Sequence, residues 1–420
     1  MGLFSRKPKW QHKNPNVRIN AVKELSDQQI LFEIATNDSD INVRKQAIKR
    51  INNERFLIAL LSDFNHDVRM EAISKITDET LLAAIAISVK ATDVTEYALE
   101  NINDETLLLE IANNAKDVSG LTKKQAVEKI NDPSILADIA INTGSPRARS
   151  VAVNKMRDNF ILGDVAKNDA DLGVADDALN RITSNSVLED VAKNASHRSI
   201  RQKAIEKINN ESVLIDIAAN NEEFWSVREK AIEKISDESA LINIFANSTE
   251  SLVRDAALKK IGDESAFIDI AKNNPDPGVR ASAVLGITDE SVLLDIYKND
   301  SDDKVRLYAT RGISDESVLV DIYKNDSDSE VRLYAVEGIS DESVLINIAK
   351  DDGEVERVRK TAIEKITDKS VLRDIAKHDN YTYTKPERIT VNDYDGEVYH
   401  PPETEYPIRE AARKRLNELD

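Results

Sequence analysis

Residues 314–339 read SDESVLVDIYKNDSDSEVRLYAVEGI, a 26-residue unit that recurs with small changes through almost all of the 420-residue chain. Its most regular feature is a Val-Arg pair, here Val331-Arg332, followed by Ala335 and Ile339. The arginine is present in twelve copies, at Arg18, Arg44, Arg69, Arg149, Arg201, Arg228, Arg254, Arg280, Arg306, Arg332, Arg359 and Arg409. Three further copies keep the alanine and isoleucine but carry Thr95, Lys123 and Ala175 instead, which makes fifteen copies. A fixed period of this size predicts a stack of similar supersecondary units.

The first half of the unit predicts a short helix with one buried face, which we call helix A. Val318, Leu319 and Ile322 lie at helical spacing with charged residues between them. Asp315 precedes this stretch as a capping residue, and the same place in another copy reads Asp132-Pro133. Since proline is favoured at the first helical position, this dipeptide fixes the start of helix A.

The second half predicts another helix, helix B. Three prolines lie three residues before the repeat arginine, each after a capping residue, at Pro15, Pro146 and Pro277. The expected buried stripe consists of Val331, Ala335, Val336 and Ile339. Each helix has about ten residues, fewer than the roughly 12–15 that are marginal for an isolated helix in water. The units therefore have to stack in order to persist.

Composition narrows the functional classes. A formal charge of −19 argues against nucleic-acid binding, which requires basic side chains to neutralise phosphates. The absence of cysteine excludes disulfides and thiolate metal sites. No apolar run reaches the ~20 residues of a membrane span, and residues 1–10 lack the apolar core of a secretory signal. We expect a cytoplasmic, monomeric protein whose partner is a protein or peptide.

The turn between the two helices resembles that of HEAT-like repeats, in which an Asp-rich turn leads into Val-Arg. Residues 300–306, 326–332 and 38–44 carry this pattern, and the unit length is also similar to that of leucine-rich variant repeats. The resemblance implies an all-α, right-handed solenoid of about fifteen two-helix repeats over residues 14–379, with helices B on the concave side. The resemblance also implies that the protein acts as a scaffold or adaptor.

The repeated arginine has two interpretations. It could present a ladder of hydrogen-bond donors to an anionic partner, or it could bond the aspartates and carbonyls of the adjacent turn and so join the repeats. The second interpretation is favoured, because the arginine belongs to the stacking motif and the turn is rich in aspartate. The predicted structural ladder includes Arg254, Arg280, Arg306, Arg332 and Arg359.

The last repeat contains an insertion, residues 380–407, ahead of a final capping helix at 408–420. It holds five of the ten tyrosines, and two short β-prone stretches flank a turn ending in Asp395-Gly396, which predicts a small β-hairpin. Tyr394 and Tyr399 are candidate partner contacts. The alternative is a flap over the apolar end of the stack.

Helix B loses its usual charges in the eleventh to thirteenth copies. Where other copies carry pairs such as Glu206-Lys207, these copies carry apolar and aromatic residues, with Tyr297 and Tyr323 on adjacent helices A. The candidate partner-binding residues are Leu307, Tyr308, Leu333 and Tyr334. Such side chains dominate protein interfaces. The alternative is that they only deepen the core locally.

An enzyme is the weaker hypothesis. The five histidines form no local pair, and no catalytic, phosphate-binding or metal-binding motif is present, so neither cofactor nor metal is expected. His378, His400 and Asp395 are the visible candidates for a site between the insertion and the inner face. The basic N-terminal segment, residues 1–13, could touch an anionic membrane through residues 1–10, although Trp10 is better explained as a cap. The favoured function is a non-catalytic protein-interaction scaffold.

Overall fold

The computed structural model describes residues 7–116, 119–385, 388–392, 396–400 and 403–419. The chain divides into two compact units, the first ending at Asn209 and the second beginning at Asn210. Both units are built mainly from short helices, and the described residues contain 29 α-helices.

The helices of the first unit follow the repeat without interruption. After a short 3₁₀ helix, Lys9–Gln11, they are α1 (Pro15–Lys23), α2 (Gln28–Asn37), α3 (Ile41–Arg50), α4 (Glu54–Leu60), α5 (His66–Ile73), α6 (Glu79–Ser88), α7 (Thr92–Glu100), α8 (Glu105–Asn114), α9 (Leu121–Lys129), α10 (Pro133–Asn142), α11 (Pro146–Lys155), α12 (Asn159–Asn168), α13 (Leu172–Arg181), α14 (Asn185–Asn194) and α15 (Arg198–Lys207).

The second unit continues the same alternation. Its helices are α16 (Glu211–Ala219), α17 (Trp225–Lys234), α18 (Glu238–Asn247), α19 (Ser251–Leu258), α20 (Glu264–Asn273), α21 (Pro277–Val284), α22 (Glu290–Asn299), α23 (Asp303–Arg311), α24 (Glu316–Asn325), α25 (Ser329–Gly338), α26 (Glu342–Ala349), α27 (Glu356–Lys365), α28 (Lys369–His378) and α29 (Pro407–Leu419).

Even-numbered helices are helices A, and odd-numbered helices, which carry the repeat arginine or its replacement, are helices B. Helices A and B of one repeat pack against each other. In the second unit, consecutive helices B also pack together along the row, whereas consecutive helices A make few contacts.

Helix starts are set by side-chain caps, as the sequence predicted. Asp315 accepts hydrogen bonds from the backbone N–H groups of Ser317 and Val318, which would otherwise lack partners at the start of α24. Asn14, Ser145 and Asp276 cap α1, α11 and α21, each directly before a proline at the first position.

The core is a continuous apolar stripe from both helices. The predicted stripe of helix B is confirmed, because Val331, Ala335, Val336 and Ile339 are all 0% exposed. In helix A, Leu319 and Ile322 are buried, but Val318 is half-buried, since it lies at the edge of the buried face. Full burial of one such branched side chain contributes about 1.5–3 kcal/mol, so the stacking of many units offsets the entropy of ordering short helices.

The insertion lies between the two helices of the last repeat, and α28 and α29 pack against each other. Strand β1 (Tyr383–Lys385) pairs with β4 (Glu403–Glu405), and β2 (Arg388–Asn392) pairs with β3 (Gly396–His400), both antiparallel. Ile389 lies opposite Tyr399 in this register. Tyr394 and Asp395 lie outside the described residues.

Candidate protein-interaction surface

The repeat arginines reach forward to a carboxylate in the turn of the next repeat. Arg280 donates from Nε and Nη2 to Asp300, at 2.7 and 2.9 Å, and Arg306 donates in the same two-pronged way to Asp326, at 2.9 and 3.2 Å. Burial by itself would raise the pKa of Asp300 and of Asp326, but the hydrogen bonds from the arginines and the backbone, together with the arginine charges, outweigh it and lower both pKa values. Planar two-pronged pairs of this kind fix geometry as well as charge.

Several guanidinium groups also bond the turn that precedes their own helix, whereas those of Arg44, Arg228 and Arg359 bond a carbonyl near the end of the preceding helix A. The Nη1 atom of Arg332 donates to the carbonyls of Asp326 and Ser327, both at 3.0 Å, while its other nitrogens bond Glu354. One side chain thus ties its own turn to that of the next repeat. Arg228 and Arg359 are 0% exposed and Arg254 is 7% exposed. The arginine ladder is therefore internal, and its charges are used within the protein.

Where the arginine is absent, the carboxylate twenty residues later is absent too. Thr95, Lys123 and Ala175 are followed at that place by Ala115, Thr143 and Ala195. A buried carboxylate without its arginine would be strongly destabilising, so both partners are replaced together. A cavity of about 320 Å³, lined in part by Thr95 and Thr122, lies at the first of these places.

Two consecutive arginines of the second unit bond neutral groups instead of a carboxylate. Arg228 donates to the carbonyl of Ala218 at 2.7 Å and to the hydroxyl of Ser248 at 3.1 Å, and Arg254 donates to the hydroxyl of Ser282 at 3.0 Å. Burial lowers the pKa of Arg228. Its buried Nη1 has no hydrogen-bond partner among the described residues.

A second ladder connects the ends of helices B. Lys260 follows α19, and its Nζ donates to the carbonyls of Ile232, Glu233 and Ile235 at the end of α17, at 2.9, 2.8 and 2.5 Å. The same bonds to the preceding helix B are made by Lys75, Lys129, Lys155 and Lys365. An ammonium group at this place donates to carbonyls that have no partner within the helix. Its positive charge also interacts favourably with the negative end of the helix dipole.

A third ladder connects the starts of helices A. The carboxylate of Glu290 accepts hydrogen bonds from the backbone N–H groups of Ser314 and Asp315, both at 2.8 Å, in the turn before the next helix A. These bonds hold the pKa of Glu290 below its usual value. The equivalent glutamates are Glu79, Glu105, Glu211, Glu238, Glu264, Glu316 and Glu342. These glutamates therefore serve the contact between neighbouring repeats.

The face of helices α21, α23 and α25 differs from this regular background. We call Leu285, Leu307, Tyr308, Arg311 and Tyr334 the B-face patch. The guanidinium of Arg311 lies over the ring of Tyr334 at 4.5 Å and over the ring of Tyr308 at 5.8 Å. This cation–π arrangement holds two aromatic rings of neighbouring repeats in one cluster.

The patch is partly accessible. Leu285 is 52% exposed, and Leu307, Tyr308 and Tyr334 are half-buried. Leu333 was also predicted to belong to this surface, but it is only 2% exposed and belongs to the core. Leu333 occupies the same place in its helix as Leu307. The two leucines differ in burial because the neighbouring repeats bring different residues against them.

Tyr297 and Tyr323 lie on helices A and interact with carboxylates in the turns between helices A and B. Burial, the charge of Asp326 and a hydrogen bond to its carboxylate raise the pKa of Tyr297 to about 12. Burial and the charges of Glu354 and Asp351 likewise raise the pKa of Tyr323 to about 12. Both hydroxyl groups therefore remain protonated and bond the carboxylates that lie beside the arginine ladder.

The candidates for an enzymatic site do not form a cluster in the part of the chain that is described. His378 bonds Asp374 through Nδ1 at 3.0 Å, and its side chain is 64% exposed. His400 lies in β3, and Asp395 lies outside the described residues. Within those residues, no group of three metal-ligating side chains occurs. None of the helices there is both long and apolar enough to cross a membrane.

The helix pairs form a regular array of two-helix repeats. No protein-family model and no curated protein sequence matches this chain. Solved structures with similar helical stacks include importin beta, at 10% identity and a TM-score of 0.26, covering 97% of this chain and 78% of that chain. Yeast importin-beta (Kap95p) is 11% identical with a TM-score of 0.28, covering 88% of this chain and 62% of that one. The S. pombe condensin Cnd3–Cnd2 subcomplex is 13% identical with a TM-score of 0.27, covering 88% and 66%. At these values none of them informs the function of this chain.

Proposed function

We propose that this protein is a non-catalytic scaffold that binds a protein or peptide partner on the helix B face of its second unit, at the B-face patch. The observation that carries the proposal is the replacement, in three consecutive copies, of charged residues by Leu307, Tyr308 and Tyr334, with Leu285 exposed beside them. Aromatic and arginine side chains of this kind anchor most protein interfaces.

Elsewhere, the same places on neighbouring helices B carry charged or polar pairs. Lys203 bonds Asp176 at 2.7 Å, and Ser150 bonds Asp177 at 2.5 Å, in each case across one repeat. A partner covering such pairs would have to remove water from charged groups, which is costly. Covering leucine and tyrosine is favourable by about 25 cal/mol per Å² of apolar surface. The patch is therefore the stretch of helix B surface best suited to a partner.

The remaining features of the proposal follow from the sequence. The array would contain about fifteen repeats in a right-handed superhelix with helices B on its concave side, and the protein would act as a cytoplasmic monomer without cofactor or metal. The insertion 380–407, a small β-hairpin element carrying Tyr394 and Tyr399, would provide a second contact. Nucleic acid is not the proposed partner, because the net charge is −19 and the arginines are used internally.

Affinity capture with matched variants tests the proposal. The double variant Tyr308→Ala and Tyr334→Ala should lose a specific partner from a native extract while its helical content stays unchanged. Tyr97→Ala is the control, because Tyr97 occupies the same place in α7, outside the patch, and is also half-buried. Equal capture by the double variant and the control would refute the B-face patch as the binding surface. Deletion of 380–407 tests the second contact separately.

A further inference from the structure

Three consecutive copies in the second unit lack the lysine that caps the preceding helix B. The place six residues after the repeat arginine, occupied by Lys260 in one copy, is glycine in the next three, at Gly286, Gly312 and Gly338. The lysine returns as Lys365, which bonds the carbonyls of Val336 and Glu337 at 3.3 and 2.6 Å. Glycine has no side chain that could supply an ammonium group, so three helix ends lose this cap.

The carbonyls concerned are defined by the copies that keep the lysine. By analogy with the carbonyls that Lys260 bonds, they are those of Leu258, Lys259 and Ile261 after α19, Val284, Leu285 and Ile287 after α21, and Thr310, Arg311 and Ile313 after α23. We call these three helix ends the uncapped row. Backbone N–H groups already reach the carbonyls of Val284 and Thr310, but a carbonyl oxygen has a second lone pair. Each helix end carries the negative pole of the helix dipole.

The turns that follow the uncapped row add negative charge. They contain the pairs Asp263-Glu264, Asp289-Glu290 and Asp315-Glu316. Hydrogen bonds from Ser291 and from the backbone at the start of α22 lower the pKa of Asp289, so it is ionised at neutral pH. The negative ends of three helices, with carboxylates in the turns beside them, favour a cation at the uncapped row.

The array itself shows which cation fits. Lys260 on one side of the row and Lys365 on the other each place an ammonium group within hydrogen-bond distance of the carbonyls at the end of the preceding helix B. Among the described residues, at least six copies make this contact with a lysine side chain, and Arg50, Arg181 and Arg415 bond the equivalent carbonyls in three others. Because the copies on both sides of the uncapped row use lysine, the ligand that best matches it is a lysine ammonium supplied from outside the array.

Gly312 and Gly338 lie against leucine side chains of an adjacent helix A and are exposed on their other side. A Cβ atom built at Gly312 would overlap Cδ1 of Leu293, and one built at Gly338 would overlap Cδ1 of Leu319. Each leucine tip fills the volume beside the glycine, and the surface above it is open, since Gly312 and Gly338 are both exposed. An incoming side chain can therefore approach the carbonyls from solvent.

We infer that the uncapped row binds the lysine side chains of an extended, basic segment of the partner, one lysine per repeat. This inference rests on the proposed function and names the chemistry of its partner. Neighbouring packed helices are roughly 8–10 Å apart, and an extended chain of the polyproline II type advances about 3.1 Å per residue with three residues per turn, so that every third side chain lies on the same face. Lysine at every third residue therefore matches the row.

The B-face patch lies next to the uncapped row. Tyr308 and Gly312 are four residues apart on α23 and at its end, and Tyr334 and Gly338 are four residues apart on α25, so each tyrosine lies one helical turn before a glycine on the same face. Apolar residues between the lysines of the partner would lie over the tyrosines. The two surfaces together would recognise a segment that alternates basic and apolar side chains.

The test measures binding of labelled synthetic peptides to the full chain by fluorescence anisotropy, at a physiological ionic strength of about 0.15 M so that unspecific attraction is screened. One dodecapeptide carries lysine at every third residue with leucine and alanine between, and its control has the same composition with the lysines adjacent to one another. The spaced peptide should bind at least about tenfold more tightly, which corresponds to about 1.4 kcal/mol.

Variants fill or extend the row. Gly312→Lys with Gly338→Lys supplies the array's own ammonium groups, and should raise the melting temperature while weakening the spaced peptide at least about tenfold, equivalent to about 1.4 kcal/mol. Gly312→Ala with Gly338→Ala adds the Cβ atoms without the charge and should keep most of the affinity. Lys365→Ala opens the carbonyls of Val336 and Glu337 as a fourth place and should strengthen binding of the spaced dodecapeptide, which carries four lysines.

Equal affinity for the two peptides, absence of binding, or undiminished binding by the lysine variant would each overturn the inference. These outcomes are separable from failure of the proposed function. If the partner is still lost on substitution of Tyr308 and Tyr334, the B-face patch remains an interface and only its basic ligand is wrong. If the double tyrosine variant captures the partner as well as the control does, the proposed function fails, whatever the peptide affinities are.

Discussion

Replacing Asp326 with alanine should loosen the junction between α23 and α25 by about 3–5 kcal/mol, the cost of breaking a buried ion pair from one side. Asp326 is 8% exposed and accepts hydrogen bonds from Arg306 and from the backbone N–H of Asp328. Its removal leaves the guanidinium of Arg306, whose side chain is 15% exposed, without a counterion. Hydrogen bonding of Tyr297 to the carboxylate would also be lost.

The double variant Arg306→Thr with Asp326→Ala should cost less than the sum of the two single variants. The chain contains this pair of replacements already, because Thr95 stands where the arginine is expected and Ala115 stands where the carboxylate is expected. With both partners removed, no buried charge is left unpaired, and the loss is reduced to packing and to the bond from Arg306 to the carbonyl of Ser301. We expect a coupling energy of at least about 1 kcal/mol between the two sites.

Hydrogen exchange is the suitable assay, because repeat arrays open locally and a single unfolding free energy is poorly defined for them. Amide protection should fall in peptides covering α23 and α25 in the Asp326→Ala variant and recover in part in the double variant. Peptides covering α16 and α17 provide the control within the same unit. Protection of α23 and α25 that is unchanged in the single variant, or additive losses in the double variant, would refute the reasoning.

Two further predictions concern pH and the lysine caps. Because folding lowers the pKa values of Asp300 and Asp326, the unfolded chain takes up protons at higher pH; this stabilisation should be complete above about pH 4, the ordinary aspartate value, and be lost as pH falls through the folded pKa values. A urea midpoint for the second unit that does not fall between pH 5 and pH 2.5 would contradict this. Lys260→Met should destabilise the end of α17 by about 1 kcal/mol, since three carbonyls lose their ammonium partner. Lys259→Met, one residue earlier, should have little effect in the same exchange experiment.

The helical architecture could be predicted from the sequence because the information for it is local and repeated. Aspartate or proline at a fixed place marks many of the helix starts, and the spacing of Val331, Ala335 and Ile339 marks the buried stripe. Fifteen approximate copies of the same pattern reduce the ambiguity that a single short helix would have.

The exposure of individual side chains could not be predicted in the same way. Leu307 and Leu333 occupy the same place in the repeat, yet one is half-buried and the other is 2% exposed. Their burial depends on which residues the next repeat brings against them, which the 26-residue pattern does not specify. The same holds for Arg311, whose stacking on Tyr334 joins two repeats and has no signal in the sequence of either one. The glycines at 286, 312 and 338 did have a signal, the loss of a lysine from a fixed place.

Departures from the repeat fall into two physical kinds, and the difference between them indicates where a partner binds. At Thr95 and Ala115 both members of a buried pair are changed, so the contact is lost without leaving an unmet group. At Gly312 and Gly338 only the donor is changed, and the carbonyls of the preceding helix end lose the ammonium partner that lysine supplies in other copies. A compensated change alters only the packing between repeats. An uncompensated change leaves acceptor groups without their usual donor, and a ligand that supplies the donor gains binding free energy there. The regular charges of this chain already join its repeats to one another. We therefore expect a partner to bind where a change is uncompensated.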